Sequence, residues 1–462
     1  MIVMKLGGMT IADAESVKKT AGIIKDRLHL KPVVVNSAMG KTTRQLLETA
    51  LMAARREEKE SMRSLENIKR IHSGMAKELF SAGAGAVLTR MEPFFNELDR
   101  LLEGLLGLGE LTPRTQDRFL SFGELLATTL TDAYYREQGI PAVWMNAQDI
   151  IVTDDRFTNA SPVMEPTAGN ITGKVGSGLK SGHVPVIQGF IGSTRQGIPT
   201  TLGFEGSDLT ATLIGNALDA EDIQIWKNVP GLMSADPAVC PSAYTLRHIT
   251  DKEAEELTFF GAKVLHPAAM LPARQKHIPL HVCDINRPGH AGTEIVYEDR
   301  PCSNDIKSIT CKQPMTLLQV RPRNVIPACE FMTEVLTRMD RDRIYPHIVS
   351  QSGNQVAAVI DGHIDLDALV AHLAPVAEYQ MISGKASVTL VGPMRNKRRT
   401  MIAEMNRVCG DIPVDYMMHG VSPGNLTILT DRESAHDLVR RLHDHFFRET
   451  DPSVFETEET DH

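Results

Sequence analysis

Cysteine and aromatic residues are scarce in this chain of 462 residues, with 6 cysteines, 2 tryptophans and aromatics at 5%. The cysteines, at 240, 283, 302, 311, 329 and 409, form no CxxC pair, which excludes a zinc ribbon and a thioredoxin-type redox pair. They read as free thiols, and the length excludes a small disulfide-stapled module. No apolar run approaches the roughly 20 residues of a membrane span. The greasiest stretch, 101–111, is broken by glycines and glutamates. Excess positive charge is missing too: 49 lysines and arginines face 58 aspartates and glutamates, a net of −9. No bulk field exists for nucleic acid or an acidic membrane, so an anionic substrate must be gripped by a few local cations. No basic leader or cleavage site precedes the opening strand, and the cytoplasm is the expected compartment.

What is present is ordinary globular material, 42% apolar and 23% charged, enough for a chain of this length to fold as two to four domains. Up to about residue 300, apolar runs that read as buried strands (2–5, 32–36, 184–188, 222–226, 279–282) alternate with helical-period stretches. That rhythm predicts an α/β domain with a mainly parallel sheet. The stretch 44–106 is strand-poor and reads as a helical excursion, and turn formers with charges at 288–292 and 298–301 mark a boundary near 300. Beyond it, strand, helix, strand, strand, helix occurs at 316–320, 329–340, 347–350, 355–360 and 366–374, then again at 387–391, 398–409, 414–418, 425–430 and 434–447. A recurrence of roughly 70 residues predicts two copies of one small α+β module. The last residues read as a frayed acidic tail.

Four segments carry candidate chemistry. Lys5-Leu-Gly-Gly8 ends the first strand, offering bare backbone amides and a point charge to a phosphate. It is not a Walker loop, because Gly40-Lys-Thr42 lacks the upstream glycine. Ser37-Ala-Met-Gly-Lys-Thr-Thr43 follows the second strand, where open α/β sheets place ligands; its hydroxyls equally suit helix capping. Gly203-Phe-Glu-Gly-Ser-Asp208 opens a helix with donors, a hydroxyl and a carboxylate, although Ser207 or Asp208 would also serve as a plain N-cap. Trp226-Lys-Asn-Val-Pro-Gly231 and Phe260-Gly-Ala-Lys-Val-Leu-His266 complete the series. His443 and His445 read as surface residues on the last helix rather than metal ligands.

In this order, with Ser121-Phe-Gly-Glu124 and Val152-Thr-Asp-Asp-Arg-Phe157, the motifs resemble the aspartokinases of the amino acid kinase family over nearly the whole chain. The resemblance implies a three-layer αβα kinase domain with a mainly parallel sheet over 1–300, followed by two α+β, ferredoxin-like ACT domains. Their expected bounds are 306–382 and 383–448, with 306–312 free to pair with the second, before a tail at 449–462. It implies transfer of the γ-phosphoryl of ATP, with Mg2+, to the side-chain carboxylate of L-aspartate, giving 4-phospho-L-aspartate at the head of lysine, threonine and methionine synthesis. By resemblance Lys5 and Lys263 meet the phosphates, Gly7, Gly8 and Ser207 supply donors, and Asp208 holds the lysine in register. Glu124 meets the substrate ammonium beside Ser37 and Thr43, and Trp226, Lys227, Asn228 and Gly231 flank the adenine. An amino-acid effector, lysine or threonine, is expected at the ACT pair near His347, Ser350 and Ser352. A homodimer is also implied.

The chain departs from the family's pattern in places. Phe204 stands where the family's Gly-Arg-Gly-Gly-Ser-Asp turn has its arginine, and an unpaired substrate carboxylate costs about 2–5 kcal/mol. Met9-Thr10, Lys227-Asn228 and Ala238 replace polar residues of the nucleotide region. Arg44 and Lys227 add cations nearby, and His347 replaces an aspartate that meets the effector's amino group. Three readings follow: an aspartate kinase, a kinase with another carboxylate acceptor, and a non-catalytic paralogue that binds effector. Nucleotide binding separates the third from the others, and a screen of acceptors separates the first two.

Overall fold

The computed structural model describes residues 1–80, 83–203, 205–262, 265, 267–394, 398–419 and 424–456. Contacts divide the chain into two compact units, one of Met1–Leu232 with Leu265–Glu298, the other of Met233–Val264 with Asp299–His462.

The first unit is built on a parallel sheet whose strands run in the order Ala142–Met145, Val184–Gln188, Pro32–Asn36, Ile2–Leu6, Asp222–Lys227 and Leu280–Asp284, with Thr293–Val296 paired antiparallel to Leu280–Asp284. Ile2–Leu6, Pro32–Asn36 and Val184–Gln188 are buried at every residue, so both faces are covered, as continuous apolar strands require. The strand-poor stretch is the expected helical excursion: Thr42–Ala54, Glu58–Leu79 and Gly85–Leu108 lead into Pro113–Glu137. That last helix starts cleanly because the Thr112 hydroxyl accepts from the Thr115 amide and proline occupies the first turn. It is buried almost without a break from Phe119 to Asp132, and its middle carries Glu124.

The second unit contains an antiparallel sheet in the order Ile348–Ser352, Gln355–Asp361, Ser308–Pro322, Ala377–Val391, Asn425–Asp431, Val414–His419. Helices Ala328–Arg341, Asp367–Leu373, Arg398–Cys409 and Arg432–Phe446 complete two strand–helix–strand–strand–helix modules. Leu318 and Val320 pack with Phe331, Val335, Leu369 and Leu373 in the core of the first. The two 15-residue strands run through both modules: Ser308 to Lys312 pairs with Val391 to Ser387, and Met315 to Pro322 continues along Lys385 to Ala377.

Two features of this unit differ from the sequence expectation. Met233–Val264 groups with this unit rather than with the one it follows in sequence. The helix Asp251–Phe259 starts with a reciprocal Thr250 and Glu253 capping box, and Glu253 also binds Lys307 at 2.7 Å, both side chains being almost fully buried. The amide of Ile309 and the hydroxyl of Ser308 donate to the carbonyls of Ser234 and Met233, each at 2.7 Å. Over its described residues the supposed tail packs into the unit: Val454 and Phe455 are fully buried, and Phe455 pairs with Leu246. His443 is no surface residue either; it is buried, stacks on Phe447, and lies 2.9 Å from the Ser234 hydroxyl. The neighbouring His445 is half-buried, 3.7 Å from Glu404.

Candidate active site

The carboxyl ends of the central strands converge. Lys5 lies opposite Val35 and Ile225 in register, so the strands on either side deliver Ser37 and Lys227 to the same rim. The helix Gly206–Ala217 begins there, with Ser207 and Asp208 in its first turn. Lys5 Nζ lies 2.6 Å from Asp208 Oδ1 and Lys227 Nζ 3.9 Å from Asp208 Oδ2, with Asp208 wholly buried. Burial pulls the Lys227 ammonium down from its ordinary range, and nearby Lys5 adds to this while Asp208 opposes it. A shared buried carboxylate thus holds two ammonium groups at a helix N-terminus, where free amides and the helix dipole favour an anion.

Two glycines make the convergence sterically possible. A Cβ on Gly189 would sit 2.5 Å from Ser207 Cβ, and one on Gly8 would sit 2.7 Å from the Ala38 carbonyl oxygen. Ser37 Oγ donates to Ser207 Oγ at 3.0 Å, tying the loop after the second strand to the helix start.

On the other side of that loop, Glu124 accepts from the Ala38 amide at 3.2 Å and from Thr43 Oγ1 at 3.4 Å. It is 2% exposed, and its second oxygen is buried without a hydrogen-bond partner. Burial pushes its carboxyl up to about 8. Ser37, Thr43 and Glu124 are therefore brought together, with an acidic oxygen free for a cationic group.

The adenine segment is arranged differently from the expectation. The Trp226 ring is 1% exposed, donates to Gln224 Oε1 at 3.2 Å, and is roofed by the Arg27 guanidinium 4.7 Å from its centre. It fills the core and presents no face to a base; only its carbonyl oxygen reaches the rim, accepting from the Gly7 amide at 3.3 Å. Asn228 is exposed and donates to the Met9 carbonyl at 3.4 Å, and Gly231 follows with a φ of 151°. Lys263 and Phe204 lie outside the described residues. Arg44 is exposed and pairs with Glu48 one turn along its helix, as a solvated residue does.

Asp117 is the residue that sequence reasoning missed. Fully buried, it accepts from the Thr158 amide at 2.9 Å, the Thr201 amide at 3.0 Å and the Thr201 hydroxyl at 2.6 Å. It thereby clamps the loop after Val152–Thr153 to the strand that leads into the 203–208 turn. An aspartate in the first turns of a helix looks like ordinary dipole compensation, so no local signal marked it. A buried ladder under the rim was equally silent: Asn36 donates to Thr131 at 2.8 Å, and Gln188 and Trp144 both donate to Thr128.

Residues 1–284 match the Amino acid kinase family. The whole chain is 34% identical to aspartokinase 2, chloroplastic, of Arabidopsis thaliana, over 97% of this chain and 85% of that protein. It is 30% identical to lysine-sensitive aspartokinase 3 of Escherichia coli (strain K12), over 97% and 99%. The chain belongs to the aspartokinases of the amino acid kinase family. Among solved structures it matches E. coli aspartokinase III in complex with aspartate and ADP (R-state), with a TM-score of 0.87, 28% identity, and coverage of 97% of this chain and 100% of that one. The lysine and aspartate complex (T-state) gives 0.79 at the same coverage. Of the three readings left open by the sequence, aspartate kinase is the one borne out.

In this aspartokinase the C-terminal unit is the regulatory region. There His347 is half-buried against Phe259, its ring 5.4 Å away, with Nε2 accepting from Lys312 Nζ at 2.8 Å. Burial first and Lys312 second hold the imidazole down at about 4, so it is neutral at pH 7. Ser350 and Ser352 share one side of the strand Ile348–Ser352 at the sheet edge.

Proposed function

We propose that this aspartokinase binds the phosphates of ATP at Lys5, Lys227, Gly7, Gly8 and Ser207, and the amino group of L-aspartate at Glu124 beside Ser37 and Thr43. Lys263 joins the phosphate set by resemblance. The observation that carries the reading is the pairing of Lys5 with buried Asp208 at a helix N-terminus, with Glu124 presenting an unpartnered oxygen across the same loop.

The chemistry asks for placement and charge neutralisation rather than acid–base work. The substrate carboxylate is already ionised; its oxygen attacks the γ-phosphorus, the new O–P bond forms, the bond to the β–γ bridging oxygen breaks, and ADP leaves with that electron pair. Lys5, fixed by strand register and by Asp208, faces the charge that spreads over the transferring group. Magnesium enters with ATP as part of the substrate, taking oxygen ligands from phosphates and water as that ion prefers. The effector is proposed to be an amino acid bound at the regulatory sheet near His347, Ser350 and Ser352. Because Lys312 already supplies a cation to His347, a ligand ammonium finds no anionic partner in that imidazole. A homodimer in the cytoplasm completes the reading.

ADP release from ATP and magnesium should depend on L-aspartate, and an aspartate-indifferent rate would refute the assignment. Glu124 supplies a sharper test through protons. Its carboxyl is raised from 4.5 to about 8, so it is protonated in the free enzyme at pH 7, and an ammonium partner favours the ionised form. Aspartate binding should therefore release close to one proton at pH 7, read from calorimetry in buffers of different ionisation heat. Affinity should rise from pH 6 to 8 and then level off, and Glu124→Gln should abolish both the release and the pH dependence. The linked stability has the opposite sign. The folded state binds the extra proton between pH 4.5 and about 8, so the ligand-free chain should lose stability as pH rises through that window.

A further inference from the structure

Asp117 and Glu124 stand two turns apart on one face of the helix Pro113–Glu137, about 10 Å along its axis. Glu124 serves the loop of Ser37 and Thr43, whereas Asp117 holds Thr201 at the end of the strand Pro199–Thr201, from which the chain enters the turn that opens the helix of Ser207 and Asp208. The helix start does not call for Asp117, because the Thr112 hydroxyl already caps it. The same carboxylate oxygen that accepts from the Thr201 amide also accepts from Thr158, whose φ of 72° is a left-handed value that a β-branched residue rarely adopts. Held there, the chain lays the Ala160 amide on the Thr201 carbonyl at 2.9 Å and sets Asn159 so close to Gly203 that an added Cβ would lie 2.3 Å from Asn159 Oδ1. Phe190, with a φ of 70°, grips the stretch as well: its carbonyl accepts from the Leu202 amide at 2.8 Å, and its own amide donates to Thr210 in the helix at 3.2 Å. Strained backbone at two non-glycine residues thus holds the chain at 201–203, and such strain persists only where the surroundings impose it.

One helix therefore carries both the residue assigned to the substrate ammonium and the anchor of the turn on the phosphate side. Transfer needs the attacking carboxylate oxygen and the γ-phosphorus in line at close range, and an error of about 1 Å in such a placement costs about a hundredfold in rate. We propose that Asp117 is a positioning residue for phosphoryl transfer in this aspartokinase: it fixes the turn that delivers Ser207 and Asp208 relative to Glu124, and so sets how far the acceptor carboxylate stands from the γ-phosphoryl. The inference rests on the assignment of Glu124 to aspartate and of Ser207 to the phosphates. Asp117 touches neither substrate. Each substrate still meets its own half of the site when Asp117 is lost, so the residue acts on kcat and leaves KM for aspartate and ATP nearly unchanged.

Steady-state kinetics of the full chain, with ADP binding sites counted by calorimetry, test this on Asp117→Ala, Asp117→Asn, Thr201→Val and Glu124→Gln. Asp117→Ala should lower kcat about a hundredfold, with either KM moving less than about threefold and one ADP site kept per chain. Asp117→Asn should restore most of kcat, because its carbonyl oxygen can accept from both amides while its NH2 group donates to the Thr201 hydroxyl oxygen. Thr201→Val removes the hydroxyl contact alone and should cost kcat about tenfold, and its effect should not add to that of Asp117→Ala, since both act through one contact. Thr201→Val carries the test should Asp117→Ala not fold. Parental kcat in the folded variants overturns the proposal. A fall in kcat matched by an equal fall in ADP sites also overturns it, in favour of a carboxylate that only holds the fold. Glu124→Gln keeps the two readings apart. If it binds L-aspartate as tightly as the parent, the acceptor assignment fails and takes this inference with it. If it loses aspartate while Asp117→Ala keeps its kcat, the positioning role alone is wrong.

Discussion

Lys5→Met should lower kcat by about a thousandfold while leaving the chain folded. Losing one preorganised donor to a developing oxyanion typically costs about a hundred- to a thousandfold. The upper end is expected here because phosphoryl transfer leaves the protein little else to contribute. Lys5 is held on both sides, by strands opposite Val35 and Ile225 and by the 2.6 Å contact with Asp208, so its charge costs no reorganisation at the moment of transfer. The substitution also strands a buried carboxylate. Removing one partner of a buried pair commonly costs about 3–5 kcal/mol, but Lys227 at 3.9 Å keeps Asp208 partly neutralised, so the loss should fall below that range. Lys5→Met with Asp208→Asn should recover most of the stability and none of the activity. Steady-state ADP release and urea midpoints on the two variants measure this. A single mutant that retains a tenth of the parent kcat would remove Lys5 from the mechanism.

The parts of this site that the sequence made legible are those whose chemistry is local. A strand that ends in Lys5-Leu-Gly-Gly8, or a helix that opens with Ser207-Asp208, places its donors within a few residues of a backbone feature that any reader can recognise. Fully buried strands announce themselves as apolar runs, and the doubled module announces itself by recurrence. What stayed hidden depends on partners far along the chain. Trp226 reads in sequence as a flank to the adenine, and the Arg27 guanidinium that covers it comes from about two hundred residues earlier. Asp117 reads as an aspartate near a helix start because Thr158 and Thr201 are remote in sequence. Met233–Val264 lies within the stretch that matches the kinase family, and that it groups with the later unit was hidden because Lys307, Ser308 and Ile309, which hold it, come later in the chain.

The segment read as a frayed tail should prove one of the stronger fastenings of the regulatory unit. Glu456 N donates to the Thr245 carbonyl at 2.9 Å and Arg247 N to the Val454 carbonyl at 2.7 Å, adding a short antiparallel strap to residues 245–247. Phe455 is fully buried, with Phe447 at 5.6 Å and Tyr244 at 6.1 Å between ring centres. Truncating a buried phenylalanine to alanine costs about 3–5 kcal/mol, and Phe455→Ala should fall in that range because its neighbours are fixed on separate elements and cannot collapse into the space. Two units need not unfold together, so a single melting curve is a poor readout. Hydrogen exchange at the Arg247 amide is the better one, since that proton is protected only while the strap is closed. It should exchange at least a hundredfold faster in Phe455→Ala, a change of about 3 kcal/mol in opening free energy, while amides of Ile2–Leu6 keep their protection. Acid should act in the same direction. Asp451 accepts from the hydroxyls and amides of Ser453 and Ser303, which hold its carboxyl down at about 2, so its contribution is complete above pH 4 and is lost as pH falls toward 2. Exchange at Arg247 should accordingly quicken on acidification beyond the intrinsic pH effect, and Asp451→Asn should remove that extra sensitivity. If the Arg247 amide keeps its parental protection in Phe455→Ala, residues 449–456 only decorate a unit that holds together without them.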